Sequence, residues 1–256
     1  MFADGDLTRD AFLGGRLSVM QPRTGYRAAT DPVLLAAAVP AQAGNRVLDL
    51  GCGAGVAGLC LAARVPGIVL TGLEVQADYA ALARRNGEVN GIAATVVTGD
   101  LAARGMLSGQ GFDHVLMNPP YFPVGGGTPA RDAGRERALR EATPLAAWLA
   151  FAARRLVPGG WLTAIQLAER LPDMLGAMPG SMGSVRVMPV QPRMGRDATR
   201  VVLRARKGGR AGFALDAPLI LHEGAAHLAD GDDYSPTARA ILRDGAPIFG
   251  DGPREV

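Results

Sequence analysis

The 256-residue chain contains no run of about 18 uninterrupted apolar residues, the length a helix needs to cross a bilayer. Its N-terminus, Met1-Phe2-Ala3-Asp4-Gly5-Asp6, lacks the basic and apolar parts of a secretory signal. These absences predict a soluble cytoplasmic protein. Cys52 and Cys60 are the only two cysteines and fall in one short segment, so a disulfide framework is excluded. No Cys/His cluster has the spacing of a zinc site, and no metal is expected. Lysine is scarcer still: Lys207 stands alone and arginine replaces it everywhere else. Histidine is limited to His114, His222 and His227, none with an evident partner, and each reads as structural or solvated.

What is present is an apolar fraction of 48%, sufficient for a substantial core in one large α/β domain. Net charge is only +3, but it is unevenly placed. Between Gly183 and Arg210 lie Arg186, Arg193, Arg196, Arg200, Arg204, Arg206, Lys207 and Arg210, against the single acid Asp197. Such a stripe can neutralise nucleic-acid phosphates, or it can simply reflect the use of arginine for lysine throughout. Met174, Met178, Met182, Met188 and Met194 read as packing filler.

Strand and helix patterns alternate along the chain. Arg16 to Ala29 reads as two extended segments around the turn Gln21–Gly25. Asp31 is a suitable N-cap and Pro32 a suitable first residue for an apolar helix, which puts Tyr26, Thr30 and Asp31 at its mouth. An apolar strand from Arg46 runs through Asp49 into Gly51-Cys52-Gly53-Ala54-Gly55 and then a helix, where glycines let the backbone approach a ligand. That turn fits the G-x-G-x-G of methyltransferases that use S-adenosylmethionine, while Gly53, Gly55 and Gly58 also fit the dinucleotide G-x-G-x-x-G. A second strand, Ile68–Leu73, ends in Glu74, which suits a ribose diol in either case. A helix over Gln76–Asn90 and a strand over Ala94–Thr98 follow, leading to Asp100, which reads as an acceptor for an exocyclic amine or as a turn residue.

A fourth apolar strand, Phe112–Met117, delivers Asn118-Pro119-Pro120-Tyr121 to its carboxyl end, where ligands of open α/β sheets bind. The prolines contribute no N–H and keep the chain extended, leaving an amide side chain and backbone carbonyls as acceptors beside an aromatic face. Phe122 to Arg140 has no clear period and reads as a substrate-side loop. A helix from Thr143-Pro144 ends at Arg155. Pro158-Gly159-Gly160 precedes a fifth strand, Trp161–Gln166, and a short helix and two strands, Ser184–Val190 and Thr199–Arg206, follow. The fold class is therefore α/β, a doubly wound, mainly parallel Rossmann-like sheet with a final antiparallel strand.

Val47 to Gly55, Glu74, Asp100 and Asn118–Tyr121, in that order, resemble class I S-adenosylmethionine-dependent methyltransferases of the amino-methylating kind. Dinucleotide enzymes have no reason to place Asn-Pro-Pro-Tyr after the fourth strand. More narrowly, Phe12–Leu17, Gln21-Pro22, Gly25-Tyr26-Arg27, Asp31–Ala37, Arg84–Asn90, Leu219–Glu223 and Tyr234-Ser235-Pro236 are similar to the bacterial adenine-N6 methyltransferases that act on valine tRNA. The resemblance implies an N-terminal extension over 1–30, a methyltransferase domain over 31–210 and a tail over 211–256. It implies S-adenosylmethionine held by Tyr26, Thr30, Asp31, Asp49, Gly51, Cys52, Gly53, Gly55, Glu74, Val75, Asp100, Leu101 and Asn118. Catalysis is then expected from Asn118, Pro119, Pro120 and Tyr121, with tRNA contacts from Arg140, Arg193, Arg196 and Arg200. A protein glutamine-N5 methyltransferase shares the tetrapeptide and is the rival enzyme; a cofactor- or RNA-binding module without turnover is the non-enzymatic one.

Overall fold

The computed structural model describes residues 2–120, 122–123, 140–141, 143–224 and 233–249. An N-terminal hairpin of β1 (Leu7–Phe12) and β2 (Leu17–Pro22) precedes α1 (Asp31–Ala38). There follow β3 (Arg46–Leu50), α2 (Val56–Arg64), β4 (Val69–Glu74), α3 (Ala77–Val89), β5 (Ala94–Thr98) and β6 (Phe112–Met117). A two-residue pair, β7 (Phe122–Pro123) and β8 (Arg140–Glu141), leads to α4 (Leu145–Arg155) and β9 (Leu156–Leu167). Then come α5 (Leu171–Gly176), β10 (Met182–Arg193), β11 (Arg200–Lys207), β12 (Ala214–Leu215), β13 (Leu219–His222) and α6 (Pro236–Asp244).

The main sheet runs β12-β10-β11-β9-β6-β3-β4-β5, with β13 also paired to β10. Strands β5, β4, β3, β6 and β9 are mutually parallel, and β11 is antiparallel to both β9 and β10, as the sequence predicts. Side chains alternate across the sheet. On β6, Val115 and Met117 join one buried cluster with Leu149 and Phe151 of α4, while Leu116 joins the other with Leu34 of α1 and Leu59 of α2. Fully burying such a side chain contributes about 1.5–3 kcal/mol, so the apolar strands and the helix faces specify each other. Chain order reverses between β3 and β6, which makes their carboxyl ends the switch point of the sheet. No helix among the described residues is long and apolar enough to cross a membrane.

Four local expectations are corrected. The hairpin turn lies at Leu13–Gly15 rather than Gln21–Gly25, because Leu13, Gly14 and Gly15 take φ of 51°, 65° and 92° and reverse the chain well before the proline signal. Asp31 is the first residue of α1 and not its N-cap; Thr30 holds that place without a side-chain hydrogen bond. Pro144, not Thr143, occupies the cap of α4. Pro158–Gly160 does not precede a strand but bulges within β9, where the register jumps from Phe112↔Leu156 to His114↔Trp161.

Candidate active site

A cavity opens at the carboxyl ends of β3, β4 and β6 and the loop after β5, with about 210 Å³ of space for water centres. Its floor is the turn after β3. Gly51 has φ +73°, and a Cβ there would lie 2.5 Å from the Trp148 ring of α4, so both the backbone and the space require glycine. Gly53 has φ +54° and nothing within 4 Å of the missing Cβ, so its bare backbone faces open space. Gly55 serves packing instead: it is the N-cap of α2, a Cβ would lie 3.3 Å from Ala83, and it does not line the cavity.

Two buried carboxylates hold this floor in place. Asp49 Oδ2 accepts the Gly58 N–H at 2.8 Å, capping one of the orphan donors in the first turn of α2. A side chain on Gly58 would reach 3.0 Å from that oxygen, which gives the third glycine of the ambiguous dinucleotide pattern a packing role. Burial pushes the Asp49 carboxyl up to about 7, against the pull of the Gly58 N–H. Glu74 accepts Gly53 N–H at 2.9 Å through Oε2 and Gln76 N–H at 2.8 Å through Oε1. Burial raises its pKa while these backbone donors lower it. Each carboxylate oxygen has a second lone pair for a ligand. Cys52 is a packed thiol, pushed well above its usual range by burial, and its Sγ fills the space beside Gly72.

The far wall comes from the next strands. Asp100 makes a turn, accepting Ala102 N–H at 2.8 Å through Oδ1, and still lines the cavity with buried Leu101 and exposed Val75. Asn118, at the end of β6, directs Nδ2 at Tyr26 Oη over 3.4 Å, while its Oδ1 is buried without a partner among the described residues. Gln166 of β9 donates from Nε2 to Pro119 O at 3.2 Å and Pro120 O at 3.3 Å, clamping the two prolines. Tyr26 is itself fixed by Tyr79 Oη, which accepts the Tyr26 N–H at 3.0 Å. Burial and nearby Asp31 push the Tyr26 phenol up to about 12, so it stays neutral.

Of the residues expected at the cofactor, Tyr26, Asp49, Gly51, Cys52, Gly53, Glu74, Val75, Asp100, Leu101 and Asn118 line the one cavity with Pro119 and Pro120; Thr30, Asp31 and Gly55 do not. Asp31 instead pairs with Arg200 at 2.9 Å. Tyr121 lies outside the described residues, as does His227; Arg140 is described through its backbone pairing to Phe122. The basic stripe is largely paired within the fold. Arg193 bonds Asp233 and the Glu223 carbonyl, and Arg186 bonds Asp216. Arg204 lies between the rings of Trp161 and Phe249, and Lys207 donates to Leu156 O at 2.6 Å. Arg196 is exposed and has no side-chain partner among the described residues.

Sequence reasoning missed several residues of this site. Trp148 sits within an ordinary apolar helix stripe, and nothing in the pattern separates it from the core. Gln166 carried a weak signal, a polar residue ending an apolar strand. Two histidines have structural partners that the sequence does not show: His114 Nε2 meets Asn45 Oδ1 at 3.1 Å and His222 Nδ1 meets Asp233 Oδ1 at 2.6 Å. Burial lowers the His114 pKa to about 4, so that ring is neutral. Met194, expected to pack, is 81% exposed.

Residues 29–188 match the family model of the methyltransferase small domain. The tRNA1(Val) (adenine(37)-N6)-methyltransferase of Dickeya chrysanthemi (strain Ech1591) is 30% identical over 233 residues, covering 88% of this chain and 90% of that protein. A release factor glutamine methyltransferase of Deinococcus radiodurans is 36% identical over 127 residues, 46% of this chain and 44% of that protein. Among solved structures, a predicted O-methyltransferase from Agrobacterium tumefaciens is similar with a TM-score of 0.67 at 29% identity, covering 82% of this chain and 94% of that one.

Proposed function

We propose, for a chain that belongs to the methyltransferase small domain family, the transfer of a methyl group from S-adenosylmethionine to the N6 amine of an adenine in tRNA, with a valine tRNA as the species. The observation that carries this reading is the orphan Asn118 Oδ1, a buried acceptor in the wall of a cavity whose floor is the bare Gly53 backbone. A buried acceptor without a donor costs about 1–3 kcal/mol, and an incoming N–H relieves it. The relative from Dickeya chrysanthemi supports the adenine and the tRNA by the length of its match. The glutamine methyltransferase matches less than half of this chain.

When bound, S-adenosylmethionine supplies an electrophilic methyl group on a sulfonium. Gly53, Glu74, Asp100 and Asp49 have the acceptors and the open backbone that such a ligand fits. An exocyclic adenine amine is a poor nucleophile because its lone pair is delocalised into the ring. Asn118 Oδ1 and the Pro119 carbonyl accept its two N–H groups and favour rehybridisation, an electrostatic preorganisation that acts on the transition state. Gln166 donates to Pro119 O and leaves it a second lone pair. Tyr121 stacks on the base, which must leave its own stack to enter. The test is to incubate the protein and labelled cofactor with unmodified total tRNA and map the modified nucleoside. Label on N6-methyladenosine is the expected result; label on protein, or on guanosine, rejects it.

Asp49 makes cofactor affinity depend on pH. Its carboxyl is neutral below about 7 in the free protein, and a cationic ligand favours the ionised form. Binding therefore releases a proton, and affinity rises with pH up to about 7, by up to about tenfold per unit, and levels off above it. Calorimetry in buffers of different ionisation heat would detect the proton, and Asp49→Asn should flatten the profile. A pH-independent affinity in the wild type would show that Asp49 is ionised throughout. The sign for stability is opposite: the folded state binds a proton that the unfolded chain releases, so this group's contribution falls as pH rises from about 4 to about 7.

A further inference from the structure

A second cavity, about 360 Å³, lies beside the first and shares Leu101 with it. Arg104, from the loop after β5, and Arg154 and Arg155, from the last turn of α4, line it, and no carboxylate does. No Asp or Glu lies between Leu101 and Phe112 or between Thr143 and Ala168; the neighbouring Asp100 lines the first cavity and turns its Oδ1 to the Ala102 N–H. Arg154 and Arg155 both lie over the Phe151 ring, at 5.8 and 5.4 Å from its centroid. Arg155 is further held by Nη1 donating to Leu107 O at 2.7 Å, while its Nε is buried without a partner. Arg104 and Arg154 have no hydrogen-bond or ion-pair partner among the described residues. Cations in the last turn of a helix complement its dipole, which accounts for Arg154 and Arg155 but not for Arg104.

We propose that this cavity binds backbone phosphate of the RNA whose base enters the neighbouring one. The inference rests on the tRNA reading above and adds where the strand is held. Three guanidiniums converge on one concavity with no acid to neutralise them, fixed by a ring and a carbonyl rather than by counter-ions. A guanidinium presents its donors in a planar fork that matches phosphate oxygens. In the stripe between Gly183 and Arg210 the fold itself occupies most of the same groups. The cavities share a wall, so one polynucleotide reaches both.

The experiment is tRNA binding by fluorescence anisotropy at several salt concentrations, with the full chain and two double variants. Arg104→Gln/Arg154→Gln touches only exposed, unpaired side chains and leaves Arg155 in place. It should weaken tRNA binding at least tenfold near 100 mM salt and lower the salt slope by about 1–2, with cofactor affinity unchanged. Arg9→Gln/Arg210→Gln removes the same charge outside the cavity and should lower affinity less than threefold. Equal losses in the two variants would reduce the effect to net charge and overturn the site. An unchanged salt slope in Arg104→Gln/Arg154→Gln, with wild-type protein active on tRNA, overturns the site and leaves the tRNA reading standing. Wild-type protein that neither binds nor methylates tRNA overturns both.

Discussion

Asn118→Ala is expected to lower the single-turnover rate of methyl transfer by about 10²–10³-fold, the loss seen when one preorganised hydrogen-bonding group is removed from a developing charge. Cofactor affinity should change by less than about threefold, because among the described residues the only hydrogen bond that the Asn118 side chain makes is the long one from Nδ2 to Tyr26 Oη. The separation arises because Asn118 Oδ1 has no partner among the described residues. Removing it breaks nothing in the ground state and takes away an acceptor that only the amine uses. Rapid-quench rates and a cofactor titration on the same preparation would check this. Equal loss of rate and of cofactor binding would mean that Asn118 shapes the cavity and has no part in the chemistry.

Asn86→Ala should destabilise the fold by about 3 kcal/mol, lowering Tm by roughly 6–12 °C. Asn86 is fully buried on α3 and does the work of a neighbouring strand: its Oδ1 accepts Met20 N–H at 2.8 Å, and its Nδ2 donates to Met20 O at 3.0 Å and to Ala54 O at 2.9 Å. One turn along the same helix, Asn90 makes the same two-way pair with Ser18, at 2.9 Å in both directions. The two amides satisfy the edge of β2 that β1 does not cover. Truncating Asn86 strands three backbone groups where water does not reach. The damage should extend to the cavity, since β2 supplies Gln21 and leads into Tyr26. Cofactor affinity is therefore expected to fall about tenfold in a variant that still folds. Thermal melting within about 1 °C of the wild type would show that β2 is held by packing alone.

The legible parts of the molecule were those governed by neighbours in sequence. Short apolar runs bounded by glycine and polar turns marked β3, β4, β5 and β6 nearly to the residue, and glycines between an apolar strand and an apolar helix marked the floor of the cavity. Legibility ended where one residue's role is set by another far along the chain. Arg200 looked free for phosphate because its acid, Asp31, is 169 residues away. Arg193 looked the same because Asp233 arrives 40 residues later. Trp148 and Gln166 act on the Gly51 turn and the Pro119 carbonyl, contacts that only the closed sheet creates. The hairpin turn was misplaced for a local reason, since Leu13 adopts φ 51° and no residue type announces that conformation as proline announces a turn.

α2 packs most closely against α1, and α6, from late in the chain, covers part of the rest. All α1 residues from Pro32 to Ala38 are buried. α6 is held there and against the Leu13–Gly15 turn: a Cβ on Gly14 would touch Arg243 O at 2.9 Å, and Ile248 N–H, just beyond α6, donates to Ala37 O at 3.0 Å. During synthesis, the face that α6 covers must wait for some two hundred further residues, about 10–40 s of translation. For that interval Val33-Leu34-Leu35-Ala36-Ala37-Ala38 is a sticky segment on an unfinished sheet. Among the helices of this protein, α1 is where a ribosome-associated chaperone would find its handle.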